Sequence, residues 1–388
     1  MSYRVEKDEV GEINVPNDRY WAAQTQRNIE NFSIGTEKVP MEIIKAFAYI
    51  KKSCAIVNTK QNKLSKEKAA AILQTCDEII NSELDDNFPL VIWQSGSKLQ
   101  INMNVNEVIA IRATQILGVG FDDNLAVCSK KDVNYSQDSN DIYSSAIRIS
   151  YVLELENRLI PALKDLKANF KKKALLLNSA SKEDKVDKKQ HNSSPEEDEI
   201  DVYIQMLKKT KKHIKQSLKY LKELSICKND EQNNLDEPKN FAKMISTVIN
   251  KQVKSKHKFK SHHHKSHKLT SYDAEVMISG TLNALASNLM KIAYDNKSKE
   301  SEIVDKDSMD ISKYKETDGF TQYEAISMVC AQIMGNHTTI SVAASQGNFE
   351  QGIFKPVIAY NLLQSIRLLS DVLISFNDNL ILLFKAEK

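Results

Sequence analysis

Apolar residues recur at three- and four-residue spacing along five long stretches of the chain, and each stretch predicts a helix with one face turned inward. From Ile142 the positions Ala146, Ile149, Val152, Leu153, Leu159, Ile160, Leu163 and Leu166 keep that rhythm. Pro161 falls inside it and predicts a kink rather than an end. The span 203–224 places Ile204, Leu207, Ile214, Leu218 and Leu221 on one stripe and lysines on a solvated opposite face. A start signal at Ser271 and Asp273 precedes the third stripe, Met277, Ile278, Leu282, Leu285, Leu289 and Ile292. The spans 323–344 and 354–376 complete the set. With 10 glycines and 7 prolines in 388 residues there is little provision for tight turns, so the pattern predicts an all-α fold. Two polar stretches, 179–199 and 228–268, interrupt the helices and read as loops or disordered insertions, too poor in apolar side chains to offset the entropy of ordering.

Composition narrows the classes of function. The 41% apolar content supports a sizeable core, and 54 basic against 51 acidic residues leave a net charge of +3, which gives no global reason to expect nucleic acid as partner. The one local basic tract, 251–268, holds seven lysines and five of the eight histidines. His257, His262, His263, His264 and His267 lack a carboxylate partner or fixed scaffold nearby, so the tract reads as a solvated loop and no metal site is expected. Five scattered cysteines without a C-x-x-C pair suggest neither a disulfide framework nor a zinc cluster, and fit a reducing compartment. Asp371, Asn377, Asp378 and Asn379 break the most hydrophobic stretch, so no membrane span is expected. The N-terminus has neither a signal-peptide apolar core nor an arginine-rich transit pattern, which points to the cytoplasm, with a mitochondrial location left open.

Four stretches carry a resemblance. Residues 3–35 open YRVEKDEVGEINVPNDRYWAAQTQ; residues 88–113 read FPLVIWQSGSKLQINMNVNEVIAIRA; residues 133–141 read VNYSQDSND; residues 321–371 contain TQYEAISMVCAQIMGN and SQGNFEQGIFKPVIAYN. These are similar to class II fumarase, within the fumarase/aspartase superfamily. The resemblance implies an elongated helical bundle, with an N-terminal domain over 1–134 and a central helical domain over 135–388 carrying the two polar insertions. It implies no cofactor, and the family's small C-terminal domain has no counterpart. It also implies assembly into tetramers, as a homo-oligomer or a hetero-oligomer with an active fumarase, and a dicarboxylate as ligand. The family reaction is the reversible hydration of fumarate to malate, which needs donors for two carboxylates, a base for a carbon-bound proton and stabilisation of the resulting aci-carboxylate.

Residue by residue, the resemblance is uneven. The family's carboxylate-gripping S-G-T matches Ser97, Lys98 and Leu99, and the threonine after them is Ile101, so Ser97 alone survives. Losing that glycine removes the backbone freedom with which N–H groups approach an anion. H-P-N-D-H becomes Cys128, Ser129, Lys130, Lys131 and Asp132. S-S-N becomes Asp138, Ser139 and Asn140, which keeps two polar contacts and adds a carboxylate. Like charges at about 4 Å and an effective dielectric of about 20 cost about 4 kcal/mol before screening. The histidine of G-R-T-H falls nearest Lys182. The mobile-loop serine base falls on Ile311, with Ser312 the adjacent substitute and Lys313 or Lys315 stand-ins for the loop lysine. Glu324 matches the glutamate that orients the missing histidine. Candidate site residues are therefore Ser312 and Glu324 for catalysis, and Ser97, Asn102, Ser139 and Asn140 for substrate.

Glu324, Asn102, Asn104, Asn106 and Glu107 fit either remnants of the family site or, the commoner case, a structural role in satisfying buried helix ends and interhelical hydrogen bonds; Lys130, Lys131 and Lys182 fit solvated surface charges better than replacement anion binders. Three functional readings stand: an assembling, catalytically impaired fumarase-like subunit; a residual or altered dicarboxylate lyase using Ser312 with Lys315 or Lys182; and a non-enzymatic structural or binding duplicate.

Overall fold

The computed structural model describes residues 2–94, 100–119, 126–183, 195–226, 240–253, 255–256, 258–261, 271–306, 318–346 and 352–386, with side chains at 180–183, 298–306, 318–320 and 379–386 left aside. A hairpin, β1 (Tyr3–Asp8) and β2 (Gly11–Pro16), precedes α1 (Ala23–Asn31), α2 (Met41–Lys60), α3 (Lys66–Ile80) and α4 (Gln100–Ile116). Then come α5 (Ser139–Glu154), α6 (Ile160–Glu183), α7 (Pro195–Leu221), β3 (Glu223–Leu224), α8 (Phe241–Gln252), β4 (Lys260–Ser261), α9 (Asp273–Lys306), α10 (Asp318–Ala344) and α11 (Lys355–Ala386). The fold is all-α, as the apolar periodicity predicts. Two compact units form by contact: Met1–Leu153 with Leu221–Tyr272 and Val342–Tyr360, and Glu154–Tyr220 with Asp273–Ser341 and Asn361–Lys388.

In the first unit the antiparallel hairpin pairs Tyr3 with Pro16 and Asp8 with Gly11. Gly11 sits at φ +132°, a conformation that glycine adopts without strain. Asp8 Oδ1 accepts from the amides of Val10 and Gly11, and the Arg27 guanidinium clamps the same carboxylate at 2.9 to 3.1 Å. That guanidinium holds Asp8 below the usual carboxylate range. Helix α2 buries Ile43, Phe47, Ile50, Cys54 and Val57, and α3, capped by Ser65 Oγ on the Lys68 amide, buries Ile72, Cys76 and Ile79. Helix α4 is buried on nearly all faces, the mark of a core helix rather than a surface one. Phe47 of α2 stacks on Tyr143 of α5 with ring centroids 6.0 Å apart.

The helix expected from Ile142 onward is interrupted just before Pro161. Between α5 and α6, residues Leu155–Leu159 form a π turn in which the Ile160 amide bonds to the Leu155 carbonyl. Proline lacks an amide proton and crowds the preceding turn, so an i to i−5 bond widens the helix there instead of breaking it.

The polar stretches hold more structure than their composition suggests. Helix α6 runs to Glu183 and α7 begins at Pro195, so of the insertion read over 179–199 only 184–194 remains, outside the described residues. Pro195 suits the first helical position, and Glu196, Glu197 and Asp198 complement the dipole of the first turn. Within 228–268, α8 forms because Phe241, Ile245 and Ile249 recur every four residues and are buried. Phe259 is also buried, its amide and carbonyl both bonded to the Asn250 side chain, and β4 pairs in parallel with β3. The five histidines of the tract lie outside the described residues. Among the described residues no three His, Cys, Asp or Glu side chains gather as a metal site would require, and Cys54, Cys76, Cys128 and Cys330 form no disulfide.

The second unit is a helical bundle. Phe170 of α6 packs on Tyr203 of α7, Tyr203 donates towards Glu199 or Asp295, Asn169 bonds Asn377, and Tyr323 of α10 meets Phe376 of α11 edge-on. On α9 the buried stripe is Ile278, Leu282, Leu285, Leu289 and Ile292. Met277, predicted to join it, is 40% exposed because it sits one position off the stripe. Over Lys355–Asp378, α11 has the length and mean hydropathy, 1.4, of a membrane span. However, 56% of its apolar window is buried inside the protein, so it serves as a core helix.

Candidate functional site

Asn102 and Asn106 lie one turn apart on α4 and are completely buried. Both bond Asn134, the residue that follows a π turn over Ser129–Val133, and Asn102 also reaches the start of α5. The Asn134 Oδ1 accepts three hydrogen bonds: from Lys51 Nζ at 2.8 Å, Asn102 Nδ2 at 3.2 Å and Asn106 Nδ2 at 3.3 Å. Asn102 Nδ2 also donates to Ser139 Oγ at 2.9 Å. Two of the sequence-predicted substrate residues, Asn102 and Ser139, are thus brought into contact, with Asn140 next in the chain.

The chemistry left over is limited. Asn102 gives both amide protons to Asn134 and Ser139 and Asn106 gives one to Asn134, while among the described residues the Oδ1 atoms of Asn102, Asn106 and Asn140 are buried acceptors without a partner, the wrong polarity for a carboxylate. Ser139 accepts from Asn102 and keeps its own hydroxyl proton, and Asn140 retains its side-chain amide. Ile101, in place of a threonine by resemblance, is buried at the start of α4 and offers no donor.

Asp138 does not project as a free charge. Its Oδ1 accepts the Asn140 and Asp141 amides at 2.9 and 3.1 Å, making it the N-cap of α5, so the helix terminus partly neutralises the carboxylate expected to repel a dianion. Asp132 is likewise engaged, by the Cys128 amide and Lys68 Nζ. Lys130 is exposed and 3.6 Å from Glu9, and Lys131 is exposed, which fits solvated surface charges better than a grip on an anion.

Glu107 is a structural group. It is buried on α4, and its carboxylate accepts the amides of Ala22, Gln24 and Thr25 and the Thr25 hydroxyl, capping α1. Burial pushes its carboxyl above the usual range, against those hydrogen bonds. Asn104 bonds the Asn87 carbonyl at 3.1 Å. Glu324, in the second unit, is exposed and paired with Lys297 at 3.0 Å. Ser97, Ser312, Ile311 and Lys315 lie outside the described residues, as does the side chain of Lys182.

Lys51 is the group that sequence reasoning missed. It is fully buried, and burial lowers its ammonium to about 7. The available signal was its place on α2: Phe47, Lys51, Cys54 and Asn58 keep helical spacing, so a lysine interrupts an apolar face.

Comparison with known proteins supplies the family. A lyase family model matches residues 11–298. Class II fumarate hydratase of Bacillus cereus is 45% identical over 389 aligned positions, covering 98% of this chain and 83% of that protein. The Helicobacter pylori enzyme is 44% identical, with 97% and 83% covered. Among solved structures, class II fumarase of Schistosoma mansoni superposes with a TM-score of 0.84 at 30% identity over 97% of this chain and 84% of that one. A fumarate lyase–delta crystallin protein of Brucella melitensis gives 0.85 at 27% over the same shares. On this evidence the chain belongs to the class II fumarate hydratase family of lyases.

Proposed function

We propose that the chain is a fumarase-type subunit that keeps the family scaffold and assembles through it, but hydrates fumarate poorly or not at all on its own. The observation that carries this reading is the state of the Asn102 cluster. Its amide donors converge on Asn134 Oδ1, Ile101 stands buried where a hydroxyl is expected, and among the described candidate residues Ser139 and Asn140 are those left to meet a carboxylate. A dicarboxylate held by so few donors gains little to offset its desolvation. The missing imidazole and loop serine, placed by resemblance on Lys182 and Ile311, remove the base; a positioned base contributes about 10² to 10⁴ in rate.

Assembly is supported by apolar side chains on the second unit's helices that no neighbour covers: Tyr294 of α9 is 72% exposed and Met328 of α10 68%. The partner is a second copy or an active class II fumarase. Dehydration of malate by the purified chain, followed by ultraviolet absorbance beside the Helicobacter pylori enzyme, tests the catalytic half. The expected rate is at least about 10³-fold lower, and a rate within tenfold overturns the reading. Light scattering tests the other half: a monomer at micromolar concentration that does not copurify with an active class II fumarase removes the assembly role.

A further inference from the structure

Helices α6 and α7 flank an open surface groove of about 460 Å³, within the second unit and apart from the Asn102 cluster's residues. Its charged lining is Lys167 and Lys171 from α6 and Lys208 from α7, and its apolar lining is Ala174, Leu175 and Ile204. Among the described residues, none of the three lysines has a hydrogen-bond or ion-pair partner. Lys167 and Lys171 stand one helical turn apart, a spacing at which like charges repel, and the packing of α6 on α7 adds a third positive charge. The one acid of the lining, Asp201, makes its hydrogen bond to Gln205 rather than to a lysine. Leu175 is 70% exposed, an apolar surface ringed by cations.

We infer that this groove binds an organic polyanion, a molecule that joins two or more phosphate-like charges to an apolar or flat body. The volume lies in the range of small-molecule sites. Three ammonium groups supply charge and flexible donors for phosphate oxygens, and the exposed Leu175 side chain takes the body. An ordinary solvated lysine face carries interspersed acids, whereas here three lysines and one acid line a groove beside the exposed Leu175.

Titration calorimetry of the full chain with ATP, pyrophosphate and adenosine as probes tests the assignment. ATP is expected to bind saturably at one site per chain, and more weakly as salt rises. Lys171→Gln and Lys208→Gln should each weaken it about tenfold, the worth of one charge-assisted hydrogen bond. Leu175→Ser should weaken ATP while leaving pyrophosphate unchanged. These side chains are exposed or half-exposed, and unchanged thermal melting shows that the variants fold. The assignment is overturned by absence of saturable binding, by affinity unchanged in both lysine variants, by pyrophosphate binding as tightly as ATP, or by displacement with malate, which would place the ligand elsewhere.

Discussion

Replacing Lys51 by methionine isolates the cost of keeping an ammonium inside the first unit. The lysine is completely buried, and desolvation takes its ammonium from 10.5 to about 7. The neighbouring thiols Cys54 and Cys76 oppose that fall only when ionised, and burial pushes Cys76 up to about 12. A fall from 10.5 to about 7 corresponds to about 5 kcal/mol between the charged and neutral forms. Below pH 7 the group is charged in the folded and unfolded states alike, so the penalty is present in full. Between 7 and 10.5 the unfolded chain binds more protons, and unfolding free energy therefore rises with pH, by up to about 1.4 kcal/mol per pH unit. Over about pH 7 to 8.5 the gain is about 1.5 kcal/mol. Higher pH is less informative, because Cys76 and Cys330, both pushed up to about 12, remain protonated in the fold while the unfolded thiols ionise, which lowers stability. Urea unfolding of both proteins across that window reads the effect directly. Wild type should gain stability with pH, and Lys51→Met should show a slope smaller by about 1 kcal/mol per pH unit. Equal slopes would refute the placement of a depressed ammonium at this position.

Other perturbations probe neighbouring parts of the account. Glu107→Ala strips three backbone amides of their acceptor at the start of α1 and should cost about 3 kcal/mol in urea unfolding, a loss under about 0.5 kcal/mol contradicting the capping role. Asp138→Ala should cost about 1 kcal/mol as an N-cap loss and should not raise affinity for fumarate measured by calorimetry; clear tightening would mean that the carboxylate faces the ligand as a free charge. Asn134→Ala leaves the donors of Lys51 and Asn106 unpaired and Asn102 with Ser139 alone, and should destabilise by about 2 to 3 kcal/mol in urea unfolding, a loss under about 0.5 kcal/mol contradicting the shared-acceptor role.

Much of the fold is legible in the sequence because its main driving force is one-dimensional. Stripes such as Ile278, Leu282, Leu285, Leu289 and Ile292 declare both a helix and its inward face. What escapes is set by contacts that sequence spacing does not encode. Helix α8 hides inside a lysine-rich stretch, since three apolar residues four apart outweigh the surrounding charge once they have a core to enter. Asp138 looks like an added negative charge until the turn of α5 supplies the amides that cap it. Lys51 and Lys52 are neighbours in sequence, yet Lys52 bonds Asp77 at the surface while Lys51 turns inward to Asn134.

The site shows the same division. Asn102 and Ser139 stand 37 positions apart and meet through a 2.9 Å hydrogen bond, a proximity that the resemblance implies and periodicity alone does not. That Asn102 and Asn106 turn their donors onto Asn134 depends on a third residue at the end of a π turn, and no local pattern announces it. For Glu107 the buried-helix-end role suggested by its neighbours in sequence is the one its hydrogen bonds display.

The proposed loss of hydratase activity comes down to one property, that the chain does not remove a carbon-bound proton from a dicarboxylate. Proton magnetic resonance of malate incubated in deuterium oxide with the purified chain tests it directly, because reversible dehydration exchanges a methylene proton even when little fumarate is released. The account predicts that the methylene signal persists at the rate of a protein-free control. Stereospecific loss of that signal, abolished by Ser312→Ala, would contradict it.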